Sequence, residues 1–251
     1  MIDLRGRRAL VTGGSRGIGA ATAELLASCG AGVVIGYRTR HEEAERVRAA
    51  CAAHGVPAGA VPSDLASPAG VDALFEIASD LIGGLDIFVG NAGIWPPDDV
   101  PLAAMTDAQW RRTMTENVDA MFYTTREALR RMDGWGRVVL VGSTAGQRGE
   151  AGHADYAASK GAMISFVKSL CAEVGQRGIT VNCVAPGWVD TDMTADAMRS
   201  GGRERIAAGI PVGRVAAPRD IAGPIVFLCS EHARHVTGEV LNVNGGSVLC
   251  G

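Results

Sequence analysis

Aromatic residues are scarce in this chain, 5% of 251, and long apolar runs are missing altogether. No apolar stretch approaches the roughly 20 residues of a membrane-spanning helix. The first eight residues, Met1 to Arg8, have neither the apolar stretch nor the small-residue cleavage site of a secretory signal. A cytoplasmic location away from membranes is the expectation. The net charge is -3 and the arginines are spread along the chain, so there is no basic arm for nucleic acid. Six cysteines, at positions 29, 51, 171, 183, 229 and 250, form no Cys-x-x-Cys pair and no Cys/His group with metal-ligand spacing. No metal site is expected, and cysteines in apolar segments read as core thiols. No tandem repeat or low-complexity linker interrupts the sequence.

A hydrophobic content of 47% and 34 glycines supply the material for a large aliphatic core. Short apolar runs alternate with helical patterns. Arg8 to Val11 reads as a buried strand, Thr12-Gly13-Gly14-Ser15-Arg16-Gly17-Ile18-Gly19 as a turn, Ala20 to Gly30 as a helix and Gly32 to Gly36 as the next strand. Helices over 42–53 and 69–81 and strands at Gly59 to Val61 and Leu85 to Val89 continue the alternation. This pattern predicts an α/β fold, a single Rossmann-type doubly wound parallel sheet with helices on both faces, as one domain over 1–251. In such a sheet ligands bind beyond the carboxyl ends of the strands. The Gly13 loop, Tyr37-Arg38, Asp64-Leu65, Asn91, Ser143 and Pro186-Gly187 each follow a predicted strand, so they converge on one site.

The glycine loop suits a dinucleotide. Glycines let the turn bend sharply and let backbone N–H groups approach a pyrophosphate at the positive end of the following helix. In isolation such a loop is equally compatible with ordinary turn chemistry; its strand and helix flanks favour the dinucleotide. Asp155-Tyr156-Ala157-Ala158-Ser159-Lys160 carries a second signal. Tyrosine and lysine four apart share a helix face. A phenol with an ordinary pKa near ~10 works poorly at neutral pH, and an adjacent ammonium favours its phenolate. Taken alone the pair also describes a solvated surface.

With Thr12 to Gly19, Asn91-Ala92-Gly93 and Tyr156 to Lys160 in this order, the chain resembles the short-chain dehydrogenase/reductase family over essentially its whole length. Asn117, Ser143, Pro186-Gly187 with Thr191, and Val243-Asn244-Gly245-Gly246 extend the resemblance. It implies hydride transfer between a nicotinamide and a carbonyl or secondary alcohol. Tyr156 would be the acid, Lys160 would lower its pKa and bind the nicotinamide ribose, Ser143 would donate to the carbonyl oxygen, and Asn117 would hold a water through its backbone. Gly13, Ser15, Arg16, Gly17, Ile18 and Gly19 would hold the cofactor's phosphates. Asp64 and Leu65 would lie by the adenine, Asn91, Ala92 and Gly93 by the central strand, and Pro186, Gly187, Val189 and Thr191 by the carboxamide. Asp64 also reads as a turn residue and Thr191 as a helix N-cap.

Relatives that prefer NAD place an aspartate where this chain has Tyr37, followed by Arg38. Arg16 and Arg38 would instead bind a 2′-phosphate, so the expected cofactor is NADP(H). A lid is expected around 188–210, with Trp188, Met193 and Met198 as apolar contacts and Gly201-Gly202 as a hinge. Trp95 and His153 are candidates for the pocket wall, and a backbone-bonded loop histidine is the plainer account of His153. Within the family, Gly146 to Gly149 and Arg177 to Asn182 are most similar to 3-oxoacyl-[acyl-carrier-protein] reductases of fatty acid biosynthesis. Arg177 matches a basic position used to dock acyl carrier protein, but another basic position is replaced around Gly134-Trp135, with Arg130 and Arg131 nearby. A sugar, polyol or other secondary-alcohol dehydrogenase is the runner-up, and a non-catalytic dinucleotide sensor the reading from another class. The resemblance also implies a homotetramer through the helices over 120–131 and 156–174.

Overall fold

In the computed structural model, residues 1–249 are described; Cys250, expected as a core thiol, lies outside them. Among the described residues, seven strands form one sheet: β1 (Arg8–Thr12), β2 (Gly32–Tyr37), β3 (Ala58–Pro62), β4 (Ile87–Gly90), β5 (Gly136–Val141), β6 (Ile179–Pro186) and β7 (Val240–Val243). Their order is β3-β2-β1-β4-β5-β6-β7, and every pairing is parallel. The helices are α1 (Gly17–Ser28), α2 (His41–Ala52), α3 (Pro68–Ile82), α4 (Asp107–Met114), α5 (Ala120–Arg131), α6 (Ala145–Arg148), α7 (Ala154–Val174), α8 (Gly202–Ala208) and α9 (Pro218–Leu228). This is the doubly wound sheet expected from the strand–helix alternation.

Parallel strands covered on both faces read as continuous apolar runs, and β2, β5 and β6 are buried at every position. The period of two then divides their side chains between two cores. Ala9, Val11, Val33, Ile35, Ile87 and Val89 meet α1, α2 and α9 on one face. Leu10, Val34, Phe88, Val138, Leu140 and Val181 meet α3, α5 and α7 on the other. The half-buried or buried thiols Cys29, Cys51, Cys171, Cys183 and Cys229 are free, and burial pushes Cys51 and Cys229 up to about 12. No described helix is long and apolar enough to cross a membrane.

Topology fixes where a ligand can sit. From β1 the chain moves outward to β2 and β3, then returns to β1's other side as β4. The loops leaving β1 and β4 therefore part in opposite directions and open a crevice at the carboxyl ends of those strands. The helical stretch between α4 and α5 breaks pattern: Thr115–Asp119 is a π turn. An extra residue per turn interrupts the regular helical ladder there and turns the buried Asn117 toward the crevice loops.

Candidate functional site

A cleft of about 360 Å³ lies over the switch point. Of the residues expected there, Gly13, Ser15, Arg16, Gly17, Ile18, Tyr37, Arg38, Leu65, Asn91, Ala92, Gly93, Ser143, Tyr156, Lys160, Pro186, Gly187, Val189 and Thr191 all line it. Gly19, Asp64 and Asn117 do not. The lining also includes Arg40, Ser63, Glu116 and Asp192, which the sequence reading did not assign to the site. The run Arg38-Thr39-Arg40 after β2 was the available signal for Arg40.

One end of the cleft is a backbone cradle. Gly13 and Gly17 adopt φ of +64° and +57°, values that disfavour any side chain. The helix α1 begins at an extended Arg16 with no side-chain cap and no acidic residue in its first turn. Its first N–H groups and positive dipole end are thus free of a competing carboxylate, as a pyrophosphate requires. Gly19 sits behind this loop: a Cβ there would stand 2.3 Å from the Gly13 carbonyl oxygen and 2.6 Å from Asn91 Nδ2. Its role is to let α1 approach the loop. Gly19→Ala is expected to destabilise the fold by about 1–3 kcal/mol through overpacking and to weaken dinucleotide binding at least tenfold. A thermal melt combined with calorimetric titration checks both.

The β4 loop is stitched to this cradle. Asn91 Nδ2 donates to the carbonyls of Thr12 (2.9 Å) and Gly13 (3.2 Å), while the Asn91 and Ala92 N–H groups donate to Thr12 Oγ1 at 3.0 and 3.1 Å. Asn91 therefore acts on the loops first. Asp64, expected by the adenine, is exposed and is not among the residues lining the cleft; its Oδ1 accepts from the Ala66 N–H at 3.2 Å, which agrees with its reading as a turn residue. Thr191 lines the cleft and stands at the N-cap position of the 3-10 turn Asp192–Thr194.

The opposite end holds Ser143, Tyr156 and Lys160. Burial raises the Tyr156 phenol, while a hydrogen bond with Ser143 pulls it back down. Lys160 is 5% exposed, and burial brings its pKa down to about 8. Its ammonium donates to the Val141 carbonyl at 2.8 Å and lies 5.7 Å from the centre of the Tyr156 ring. The expected depression of the tyrosine by the lysine is not what this arrangement shows. Burial is the largest influence on Tyr156. Gly93 marks the convergence: a Cβ there would lie 3.0 Å from Asn117 Oδ1 and 3.5 Å from Lys160 Nζ.

Asn117, expected to hold a water through its backbone, uses its side chain to tie neighbouring segments together. Its side chain accepts from the Ile94 N–H (2.8 Å), donates to the Ile94 carbonyl (3.0 Å) and donates to Ser159 Oγ (2.9 Å). Ser159 in turn donates to the Tyr156 carbonyl at 2.7 Å. The π turn thus ties the β4 loop to the first turns of α7. Asp155, fully buried, adds a second tie by accepting from Thr113 Oγ1 (2.7 Å) and the Tyr156 N–H (2.8 Å).

Beside the Tyr156 end, Trp95 stacks on His153 with 4.9 Å between ring centres and meets Trp188 edge-on at 5.9 Å. His153 bonds the Pro96 carbonyl through Nε2 at 2.9 Å, in accord with the backbone-bonded account. At the cradle end, Arg16 pairs with Asp192 at 2.6 Å and Arg38 with Glu116 at 2.5 Å. Both arginines lie at the cleft as expected, each already joined to a carboxylate from across it.

A glycine cradle at a switch point, ending at a Ser-Tyr-Lys proton-handling group, defines a dinucleotide-dependent oxidoreductase of the Rossmann type. The chain belongs to the short-chain dehydrogenase/reductase family. Residues 13–247 match a family model described as enoyl-(acyl carrier protein) reductase. The chain is 42% identical over 250 residues to a 3-oxoacyl-[acyl-carrier-protein] reductase of Vibrio cholerae, covering 99% of this chain and all of that one. A short-chain dehydrogenase of Burkholderia cenocepacia in complex with NADP superposes with a TM-score of 0.91 at 38% identity, covering 97% and 98% of the two chains. A blue fluorescent protein from a metagenomic library, in complex with NADPH, gives a TM-score of 0.91 at 39% identity over 98% of this chain and all of that chain.

Proposed function

We propose that this protein is an NADP(H)-dependent reductase of 3-oxoacyl thioesters. The observation that carries this reading is the placement of Ser143, Tyr156 and the buried Lys160 at the end of a cleft whose other end is the glycine cradle. When bound, NADPH supplies the hydride. The N–H groups at the start of α1 would hold its pyrophosphate, Lys160 its nicotinamide ribose, Val189 and Thr191 its carboxamide, and Arg16 and Arg38 its 2′-phosphate. Charge then develops on the substrate's carbonyl oxygen, where Ser143 donates a hydrogen bond and Tyr156 delivers the proton. Asn117 keeps Tyr156 and the β4 loop in register. The substrate class is supported by the full-length similarity to 3-oxoacyl reductases. The family model's description names an enoyl substrate, but a phenol and a hydroxyl paired at one point suit a carbonyl oxygen that must be both polarised and protonated.

The 188–210 segment is the proposed lid. It is joined to the body by mutual backbone bonds of Trp188 and Asp190 with Ala216, and it carries two adjacent left-handed residues, Ser200 (φ 52°) and Gly201 (φ 80°), as a hinge. A homotetramer in the cytoplasm is the proposed assembly and location; the exposed Trp110 on α4 and Phe122 on α5 support the assembly.

One observation favours the runner-up. Arg177 Nη2 donates to the carbonyls of Leu129 and Met132, both at 2.8 Å, and so caps the end of α5. Arg130 and Arg131 both pair with Glu127. A basic docking face for an acidic carrier is thus largely committed internally, which suits a small carbonyl or secondary-alcohol substrate. Kinetics with an acetoacetyl group on acyl carrier protein and on free pantetheine test the choice. A carrier-dependent fall in KM of about tenfold supports docking. Equal KM values support a reductase of small thioesters, and turnover of polyols alone contradicts the thioester reading. For the cofactor, the Arg16→Ala, Arg38→Ala double variant is expected to lose about 10- to 100-fold in NADPH affinity, with NADH affinity changed less than threefold, as read by fluorescence titration.

A further inference from the structure

The proposed 2′-phosphate site contains a carboxylate that works against it. Glu116 Oε1 accepts from Arg38 Nη1 at 2.5 Å, and both side chains line the cleft. Arg38 is also within the field of Asp64, which together with Glu116 favours its charged form. The pair joins a loop after β2 to the π turn before α5, 78 residues away in sequence. Glu116 is the less mobile partner: its side chain is 20% exposed against 59% for Arg38. It also stands next to Asn117, whose three side-chain bonds anchor the turn to Ile94 and Ser159. A phosphate arriving at Arg38 therefore meets a negative charge beside Nη1, and it can take up the N–H that Glu116 accepts from only by displacing that carboxylate. The neighbouring Arg40 is likewise paired, to Glu43 at 3.2 Å.

We propose that Glu116 is a specificity-determining residue that competes with the 2′-phosphate for Arg38 and so limits the preference for NADPH over NADH. The inference rests on the NADP(H) reading above. Its consequence is asymmetric. Neutralising Glu116 removes repulsion from a phosphorylated ribose and frees one guanidinium edge, but it offers nothing to a ribose carrying a free hydroxyl. Partly exposed pairs couple weakly, so the gain is moderate, about three- to tenfold in affinity.

The test is calorimetric titration of wild-type protein and Glu116→Gln with 2′,5′-ADP and with 5′-AMP, repeated with NADPH and NADH. Glutamine keeps the side chain's size and leaves Asn117 in place. The expected result is a three- to tenfold tightening for 2′,5′-ADP and NADPH in the variant, with 5′-AMP and NADH within twofold. A wild type that prefers 2′,5′-ADP, and a variant with that preference unchanged or reduced, would overturn the proposal while leaving the cofactor reading intact. A wild type without the preference that gains it in Glu116→Gln would remove the NADP(H) reading and retain the competition at Arg38. The gain should also shrink at 0.5 M salt, where exposed charges are screened.

Discussion

Tyr156→Phe is expected to lower kcat for carbonyl reduction by about three orders of magnitude, in the range that general acids contribute, while NADPH affinity stays within twofold. The substitution removes one oxygen and keeps the ring. The ring's place is fixed by α7, whose start is held by the Asp155 contact to Thr113 and by the chain of bonds from Asn117 through Ser159 to the Tyr156 carbonyl. None of these contacts uses the phenol, so the fold and the cradle at the far end of the cleft should persist. What is lost is the proton donor and its hydrogen bond with Ser143. Both act on an oxygen that becomes basic only as hydride arrives, so kcat and kcat/KM should fall together. Steady-state kinetics with a parallel binding titration checks this. A fall in affinity equal to the fall in rate would instead assign Tyr156 to cofactor binding.

The second large effect is expected at Lys160. Its ammonium is buried and held near Val141, and its pKa is brought down to about 8 by the cost of burying charge. Lys160→Met should lower kcat/KM by at least about 100-fold, because the charge beside the phenol and the proposed ribose contact vanish together. In the wild type, kcat/KM for reduction should fall as pH rises through about 8, when the free enzyme loses that charge. A profile flat from pH 7 to 10 would contradict the assignment. Stability moves in the opposite sense. Below about pH 8 the lysine is charged in both folded and unfolded states, and the full burial cost is present. Between about 8 and 10.5 the unfolded chain holds a proton that the folded protein has released, so stability rises with pH. Lys160→Met should accordingly be more stable than wild type at pH 7 by about 2 kcal/mol, from a burial cost of about 3 less about 1 for the lost hydrogen bond to Val141. Denaturant melts at pH 7 and pH 10.5 should show this difference shrinking at the higher pH.

Much of the fold is local in origin, and those parts were legible. A strand such as Gly32–Tyr37 is buried at every position because both faces are covered, and glycine marks the turn at Gly13 and Gly17 where φ is positive. Reading strand ends as one site succeeded because a parallel sheet places them on the same edge. Contacts made between distant segments were not legible. Nothing near Arg38 announces Glu116, nothing near Arg16 announces Asp192, and the partners of Arg177 lie 45 and 48 residues away. The π turn at Thr115–Asp119, whose Asn117 bonds Ile94 and Ser159, was equally hidden. The tyrosine's raised pKa had the same source. A Tyr–Lys spacing of four shows that the residues share a face, but only the packed cleft shows that burial outweighs the lysine at Tyr156.

The most direct test of the proposed chemistry is the fall in nicotinamide absorbance when purified protein meets an acetoacetyl thioester with NADPH, and separately with NADH, using Tyr156→Phe as the paired control. Rapid oxidation of NADPH, slower oxidation of NADH and negligible oxidation by the variant are the expected result. Oxidation that persists at the wild-type rate in Tyr156→Phe, or no oxidation by wild-type protein that demonstrably binds NADPH, would contradict it.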